Sequence, residues 1–218
     1  MGKITEEVRR CRGRPQIRSD EATLRLVIEA AAVEFQANGY AGAGMEAVAQ
    51  RAGISTKTLY RLVPTKADLF KSVVSDRAGR FVLAIDDRVL GGLDLASALE
   101  RILAAYGSLT FNEEVIATNR LVLGESDRFP EIGEAFYEGA IRPTSQAMAD
   151  WLERQCRRGL IVLDDPLLAA GMLRGMMVME PQRAIMLGRR APLDAEEIAT
   201  RAKICAALFL KGCRLENP

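Results

Sequence analysis

Residues 45–70 read MEAVAQRAGISTKTLYRLVPTKADLF, and their order of small, apolar and capping residues sets three consecutive helices. Val48, Ala49 and Ala52 fall at i, i+1 and i+4, one apolar face of a short helix. Gly53 stands where a helix closes in a left-handed residue, which glycine adopts without a Cβ penalty. Ile54 is the apolar plug behind the turn, and Ser55 can accept a backbone N–H as the next N-cap. The helix over residues 56–62 turns Leu59 inward and leaves Thr56, Lys57, Thr58 and Tyr60 on its other faces. Pro64 disfavours helical geometry at Val63, so a break falls there before Thr65 and Lys66 open a third helix.

Two short helices joined by a tight turn are helix-turn-helix chemistry. Hydroxyl, lysine and tyrosine side chains at the start of the second helix suit a major groove, reaching base edges and phosphates without bulk. The first N–H groups of the third helix, together with Lys66, form an anion site, which on DNA means a phosphate. Taken alone, Ala-x-x-Ala-Gly-Ile-Ser also describes an ordinary helical hairpin. Upstream, Ser19, Asp20 and Glu21 cap a helix whose Leu24, Val27, Ile28, Ala31 and Phe35 share one face, and Asn38-Gly39 ends it.

At this point the chain resembles the TetR family of one-component transcriptional regulators. The resemblance rests on Ala31 to Phe35, Gly39-Tyr40, Val48-Ala49, Ala52 to Ser55, Thr58 to Tyr60 and Lys66 to Phe70, in family order and spacing. It covers residues 19–75 and fades beyond them. It implies an all-α fold: a three-helix helix-turn-helix head over residues 19–65 on a helical-bundle body over residues 66–218 for ligand binding and dimerisation. Ser55, Thr56, Lys57, Thr58, Tyr60 and Lys66 are then the DNA contacts, joined by the Gly44 backbone. Ala43 and Gly44 stand where the family usually has Thr or Ser, and Leu62-Val63 where it usually has an aromatic or His pair. More of the grip therefore falls to Lys57, Tyr60 and Lys66.

Charge is distributed as a DNA-binding head requires. Residues 1–66 hold eight Arg and three Lys against seven carboxylates, a surplus of +4 in a chain of net charge +1, which leaves −3 for the rest. Residues 1–18 form a basic arm in which Gly13 and Pro15 interrupt any helix. Arg14 and its neighbours lie along phosphates or in a narrow minor groove, or the arm is a solvated tail. The chain has no histidine, which removes the commonest general base and the usual hydrolytic triad. Its four cysteines show no CxxC spacing, so no metal site is expected, and no cofactor motif occurs. A polar, arginine-rich start and the absence of a long apolar run predict a cytoplasmic protein that does not enter membranes.

The remainder reads as helices. One is expected over residues 66–89, closed by Gly91-Gly92; others start at Asp94, near Val115, at Pro130, at Asp165-Pro166 and at Asp194. Pro143 should kink the helix over residues 131–158, and Pro181 should kink or end the one before it reaches Asp194. Candidate liners of a body pocket are Tyr106, Arg120, Phe136, Met148, Trp151, Met172 and Met176, each of which also fits plain core packing. Cys156 beside Arg154, Arg157 and Arg158 is a candidate reactive thiol or an inert one. The expected function is a homodimeric repressor on a near-palindromic double-stranded DNA operator, released by a small-molecule effector. The alternative is an architectural or adaptor protein that binds DNA without a ligand. An enzyme reading lacks a histidine or a spaced acid pair to carry it.

Overall fold

The computed structural model describes residues 18–213. Arg14 and the rest of the arm before Arg18 lie outside the described residues. Helix α1 (Asp20–Gly42) starts where Ser19 Oγ accepts the Ala22 N–H at 3.1 Å. Its ladder breaks at Gly39, φ 68° and ψ −178°, and one more turn carries the chain to Gly42. The break is where Asn38-Gly39 places the helix end. Helices α2 (Met45–Ala52) and α3 (Thr56–Leu62) follow, with Gly53 left-handed between them at φ 68°. Ser55 Oγ accepts the Thr58 N–H at 3.1 Å, and Thr65 Oγ1 accepts the Asp68 N–H at 3.0 Å to open α4 (Lys66–Ala84).

Helix α4 is shorter than the 66–89 expected. It stops at Ala84 because Asp86 offers its carboxylate to the Arg88 N–H at 2.9 Å, starting a separate turn, α5 (Asp87–Leu90). Asp94, accepting from Ala96 and Ser97, caps α6 (Leu95–Thr110), and Asn112 caps α7 (Glu113–Glu125). Pro130 stands in the first turn of α8 (Pro130–Phe136), where its missing N–H costs nothing. Just before Pro143, where a kink is expected, a π-helical turn over Tyr137–Ile141 interrupts the α-helical ladder ahead of α9 (Arg142–Arg157). Hydroxyls serve the carbonyls there: Thr144 donates to Ala140 at 2.8 Å and Ser145 to Ile141 at 2.7 Å. A Cβ on Gly139 would meet Ser75 Oγ at 2.8 Å and Val74 Cγ2 at 2.9 Å, so the π turn lies directly on α4.

Pro181 does not end α10 (Pro166–Met186). A proline there cannot donate to the Met177 carbonyl one turn back. Arg201, on α11 (Ala195–Gly212), supplies the missing donor, Nε to Met177 O at 2.6 Å, and its Nη2 donates to Met176 O at 2.8 Å. Asp194 and Glu197 form a reciprocal capping box at the start of α11. No strand occurs among the described residues.

Two apolar cores result. One belongs to the head: Val27, Ala31, Phe35, Val48, Ala49 and Leu59 pack on Leu69 and Phe70 of α4. It runs on into the body through Val122 of α7 and Ile132 and Ala135 of α8. Tyr40 is the pivot of an aromatic cluster, stacked on Phe35 at 5.9 Å and edge-on to Phe70 and to Phe129 at 5.9 and 5.4 Å. The other core fills the body around Leu99, Ile102, Leu103, Leu152 and Leu173.

Candidate nucleic-acid interface and internal cavity

Leu59 is fully buried beneath α3, which fixes the rotation of that helix. Thr56, Lys57, Tyr60 and Ser55 are consequently exposed, Tyr60 by 46%. Thr58 is half-buried, and its hydroxyl lies 2.9 Å from Ser55 Oγ. The outer face of α3 thus carries hydroxyls, an ammonium and a phenol with no acid among residues 55–62. Arg61, in its last turn, is held by both oxygens of Asp20 at 2.7 and 2.8 Å, which ties α3 to the start of α1. That contact raises the Arg61 guanidinium further above its ordinary range, first through the hydrogen bond and then through the charge.

Lys66 is less free than the sequence implies. Its ammonium donates to Ala43 O at 2.7 Å and to Ala41 O at 3.4 Å, and it lies 4.9 Å from the Tyr40 ring centre. It therefore pins the corner that ends in Gly44, whose φ of −107° is extended and whose helix has no side-chain cap. Burial first, and then the Glu131 carboxylate, push the Tyr40 phenol up to about 12.

The body contains a cavity of about 160 Å³ between α4, α6, α7, the π turn and α10. Tyr106 and Phe136 line it, with Val74 and Arg77 from α4, Thr118 and Asn119 from α7, and Arg174 from α10. Others of the sequence candidates are elsewhere. Met148 and Trp151 are solid core, 0% and 2% exposed, because their face of α9 is wholly covered by neighbouring helices. Met172 and Met176 are on the outer face of α10, 61% and 36% exposed. Arg120 borders a second cavity of about 370 Å³ against α1 and α4, but its guanidinium is committed to the end of α10, donating to Ile185 O at 2.7 Å and Met186 O at 3.1 Å. A cation closing a helix C-terminus is in its electrostatically favoured place.

Comparison with known families decides what this arrangement belongs to. Residues 27–73 match the profile described as bacterial regulatory proteins, tetR family. Residues 97–212, more than half the chain, match the profile described as AefR-like transcriptional repressor, C-terminal domain. The chain belongs to the TetR family of transcriptional regulators. A TetR-family regulator of Mesorhizobium loti is 26% identical, with a TM-score of 0.78 over 91% of this chain and 100% of that one. The flavonoid-responsive regulator FrrA is 28% identical, TM-score 0.71, over 89% and 98%. FadR of Bacillus subtilis, solved with stearoyl-CoA, shares the fold at 18% identity and TM-score 0.65, over 87% and 99%. A comparison with curated protein sequences finds no match.

TetR-family regulators typically bind DNA, often bind a ligand, and form dimers rather than carry out catalysis. In this member Leu168, Met172, Met176 and Met179 recur along the outside of α10, and Ile204 and Leu208 along α11, all at least 36% exposed. A stripe of that kind is out of place facing water. No helix among the described residues is long and apolar enough to cross a membrane, and none of their Cys, Asp and Glu side chains gather as a metal site. Burial pushes the Cys205 and Cys213 thiols up, away from thiolate reactivity, while Cys156 is half-buried.

Sequence reasoning missed the role of α7 in this TetR-family chain. Glu114 pairs with Arg77 of α4 at one end, and Arg120 holds α10 in the middle. At the other end Glu125 accepts the N–H groups of Tyr40 and Ala41, each at 3.0 Å. These are the donors that the break at Gly39 leaves without helical partners. Helix α7 is thus a rod between the cavity and the head. A signal for it existed: Glu125 is an acid at a helix C-terminus, where the dipole disfavours negative charge.

Proposed function

We propose that the protein is a homodimeric repressor, released from a near-palindromic operator by a small-molecule effector. The observation that carries it is the outward display of Thr56, Lys57 and Tyr60 over a buried Leu59, on a head bolted to the body. Residues 19–65 act as the reading head and residues 66–218 as the effector and dimer body. Ser55, Thr56, Lys57, Thr58 and Tyr60 meet bases and phosphates. The Gly44 N–H and the one Lys66 N–H not used on Ala41 and Ala43 reach a phosphate. Arg14 follows the backbone from the arm. One seven-residue helix reads too few base pairs for specificity, so two heads one helical turn apart, roughly 34–36 Å, are needed. The apolar stripes of α10 and α11 bring the two chains together. Acting on DNA, the protein works in the cytoplasm.

Release follows from two elements that wall the cavity and also hold the head. Helix α4 contributes Val74, Arg77 and Ala78 to the wall and starts at Lys66, which holds the α1–α2 corner. From Ala78 to Lys66 is roughly 18 Å at 1.5 Å per residue, so a tilt of about 5° moves the head by roughly 1.6 Å. Hydrogen bonds to bases tolerate a few tenths of an ångström, so that shift is enough to break them in one head or both. An effector that binds the tilted form better shifts the population away from DNA. The flavonoid response named for FrrA and the stearoyl-CoA found with FadR support a small-molecule effector. A cavity opening into the body weighs against an architectural protein that needs none.

The test is selection of genomic fragments by the purified full-length protein, followed by footprinting. A protected site with two related halves is expected, and substitutions at Thr56 or Lys57 should change the bases preferred. Binding that ignores sequence would overturn the reading.

A further inference from the structure

The cavity wall sorts its hydrogen-bonding groups in an uneven way. Three threonines line it, and each spends its proton on its own helix: Thr110 on Tyr106 O at 2.8 Å, Thr118 on Glu114 O at 2.8 Å, Thr144 on Ala140 O at 2.8 Å. Asn119 likewise donates to Val115 O at 2.8 Å. The threonines offer the cavity only methyls and acceptor oxygens, while the amides of Asn119 and of Gln182, which donates to Thr110 O at 3.5 Å, each keep one neutral N–H.

The charged donors, and a phenol, belong to two arginines and a tyrosine. Arg174 is half-buried and has no carboxylate partner among the described residues; its Nη1 donates to Ser145 Oγ. Its Nε donates to Tyr106 Oη at 3.0 Å, and its Cζ lies 5.3 Å from the Tyr106 ring centre. Accepting that bond leaves the Tyr106 hydroxyl with its own proton to give. Arg77 reaches out of the cavity to Glu114 through Nη2, while its Nη1 is buried with no partner. No Asp or Glu lines the cavity. Arg174 is thus a half-buried cation without a counter-charge, and the group that would complement it is an anion.

Size narrows the class. A closed apolar cavity of about 150 Å³ accepts one benzene ring; this one, open on one side, offers about 160 Å³, with Phe136, Leu109 and Val74 among its apolar walls. We propose that the cavity takes a small monoanion whose apolar body is about one aromatic ring, its charged group against Arg174 and the Tyr106 hydroxyl. This rests on the regulator reading above and names its effector class. Binding there touches α10, which carries the stripe for the second copy, and α4, which carries the head.

The test is calorimetric titration of the full-length protein with benzoate, benzyl alcohol, benzylamine and decanoate. Benzoate should bind saturably and at least tenfold tighter than benzyl alcohol, with benzylamine weakest. Arg174→Gln should erase the preference for benzoate while leaving benzyl alcohol binding in place, and Tyr106→Phe should weaken benzoate several-fold. Should Arg174→Gln fail to fold, Tyr106→Phe carries the comparison. Equal affinity for benzoate and benzyl alcohol, tighter binding of decanoate than of benzoate, absence of saturable binding by either anion, or an unchanged preference in the variants would each overturn the proposal. Fragment selection on the same preparation separates the two failures. DNA binding without benzoate binding rejects only this inference, and absence of sequence-specific DNA binding rejects the regulator reading.

Discussion

Glu125→Ala removes one end of the α7 rod. In the native chain the two carboxylate oxygens each take one N–H from the break at Gly39. Hydrogen bonds to a charged acceptor contribute about 1.5–3 kcal/mol each. Tyr40 is buried and Ala41 is exposed, so only the Tyr40 N–H is left without an alternative; the Ala41 N–H can turn to water. The expected loss is therefore about 2–3 kcal/mol, closer to one such bond than to two. In a domain of 150–250 residues each kcal/mol moves the melting temperature by roughly 2–4 °C, which gives a fall of roughly 4–12 °C. Glu125→Gln keeps one acceptor oxygen but sets an NH₂ against the Ala41 N–H, so about half the loss is expected. Differential scanning calorimetry of the three proteins reads this directly. Operator affinity should fall with it, because Ala41 and Ala43 also hold Lys66. A melting temperature for Glu125→Ala within about 1 °C of the native value would refute the view of Glu125 as a bolt.

Arg201→Ala leaves the Met177 carbonyl beside Pro181 without its donor, and a loss of about 1–3 kcal/mol is expected in denaturant unfolding. Lys57→Ala should weaken DNA binding and change the bases preferred, with no change in melting temperature; Lys66→Ala should lower affinity on all sequences, reduce the salt slope by about one and lower the melting temperature, because its ammonium braces the α1–α2 corner. The Tyr40 phenol is raised from 10.0 to about 12 in the folded state, so its contribution to stability is full below pH 10 and is lost as pH rises from 10 to 12. Tyrosinate absorbance should show a late step near pH 12 that Tyr40→Phe removes.

The head was legible because local rules and packing agree there. Ser19, Gly39, Gly53, Ser55 and Thr65 each do what their residue type favours, and Leu59 alone fixes how α3 faces. The body was legible as helices but not as a site. Periodicity marks a methionine as apolar without saying which side of α9 or α10 meets another helix, so Met148 went to the core and Met172 to the surface. Arg120 and Arg174 look alike in sequence, each a cation within an apolar stretch. Their fates differ because α10 ends opposite Arg120, while Arg174 meets only Tyr106 and Ser145. That the helix runs on past Pro181 was not legible, because Arg201, which serves the Met177 carbonyl, is on another helix.

What most directly tests the account is the affinity of the full-length protein for its selected duplex when the two half-sites are pushed apart. Inserting about five base pairs, half a helical turn, rotates one half-site to the far face of the DNA. Two rigidly paired heads should then lose at least tenfold in affinity. Unchanged affinity after that insertion would contradict the reading of this chain as a two-headed regulator.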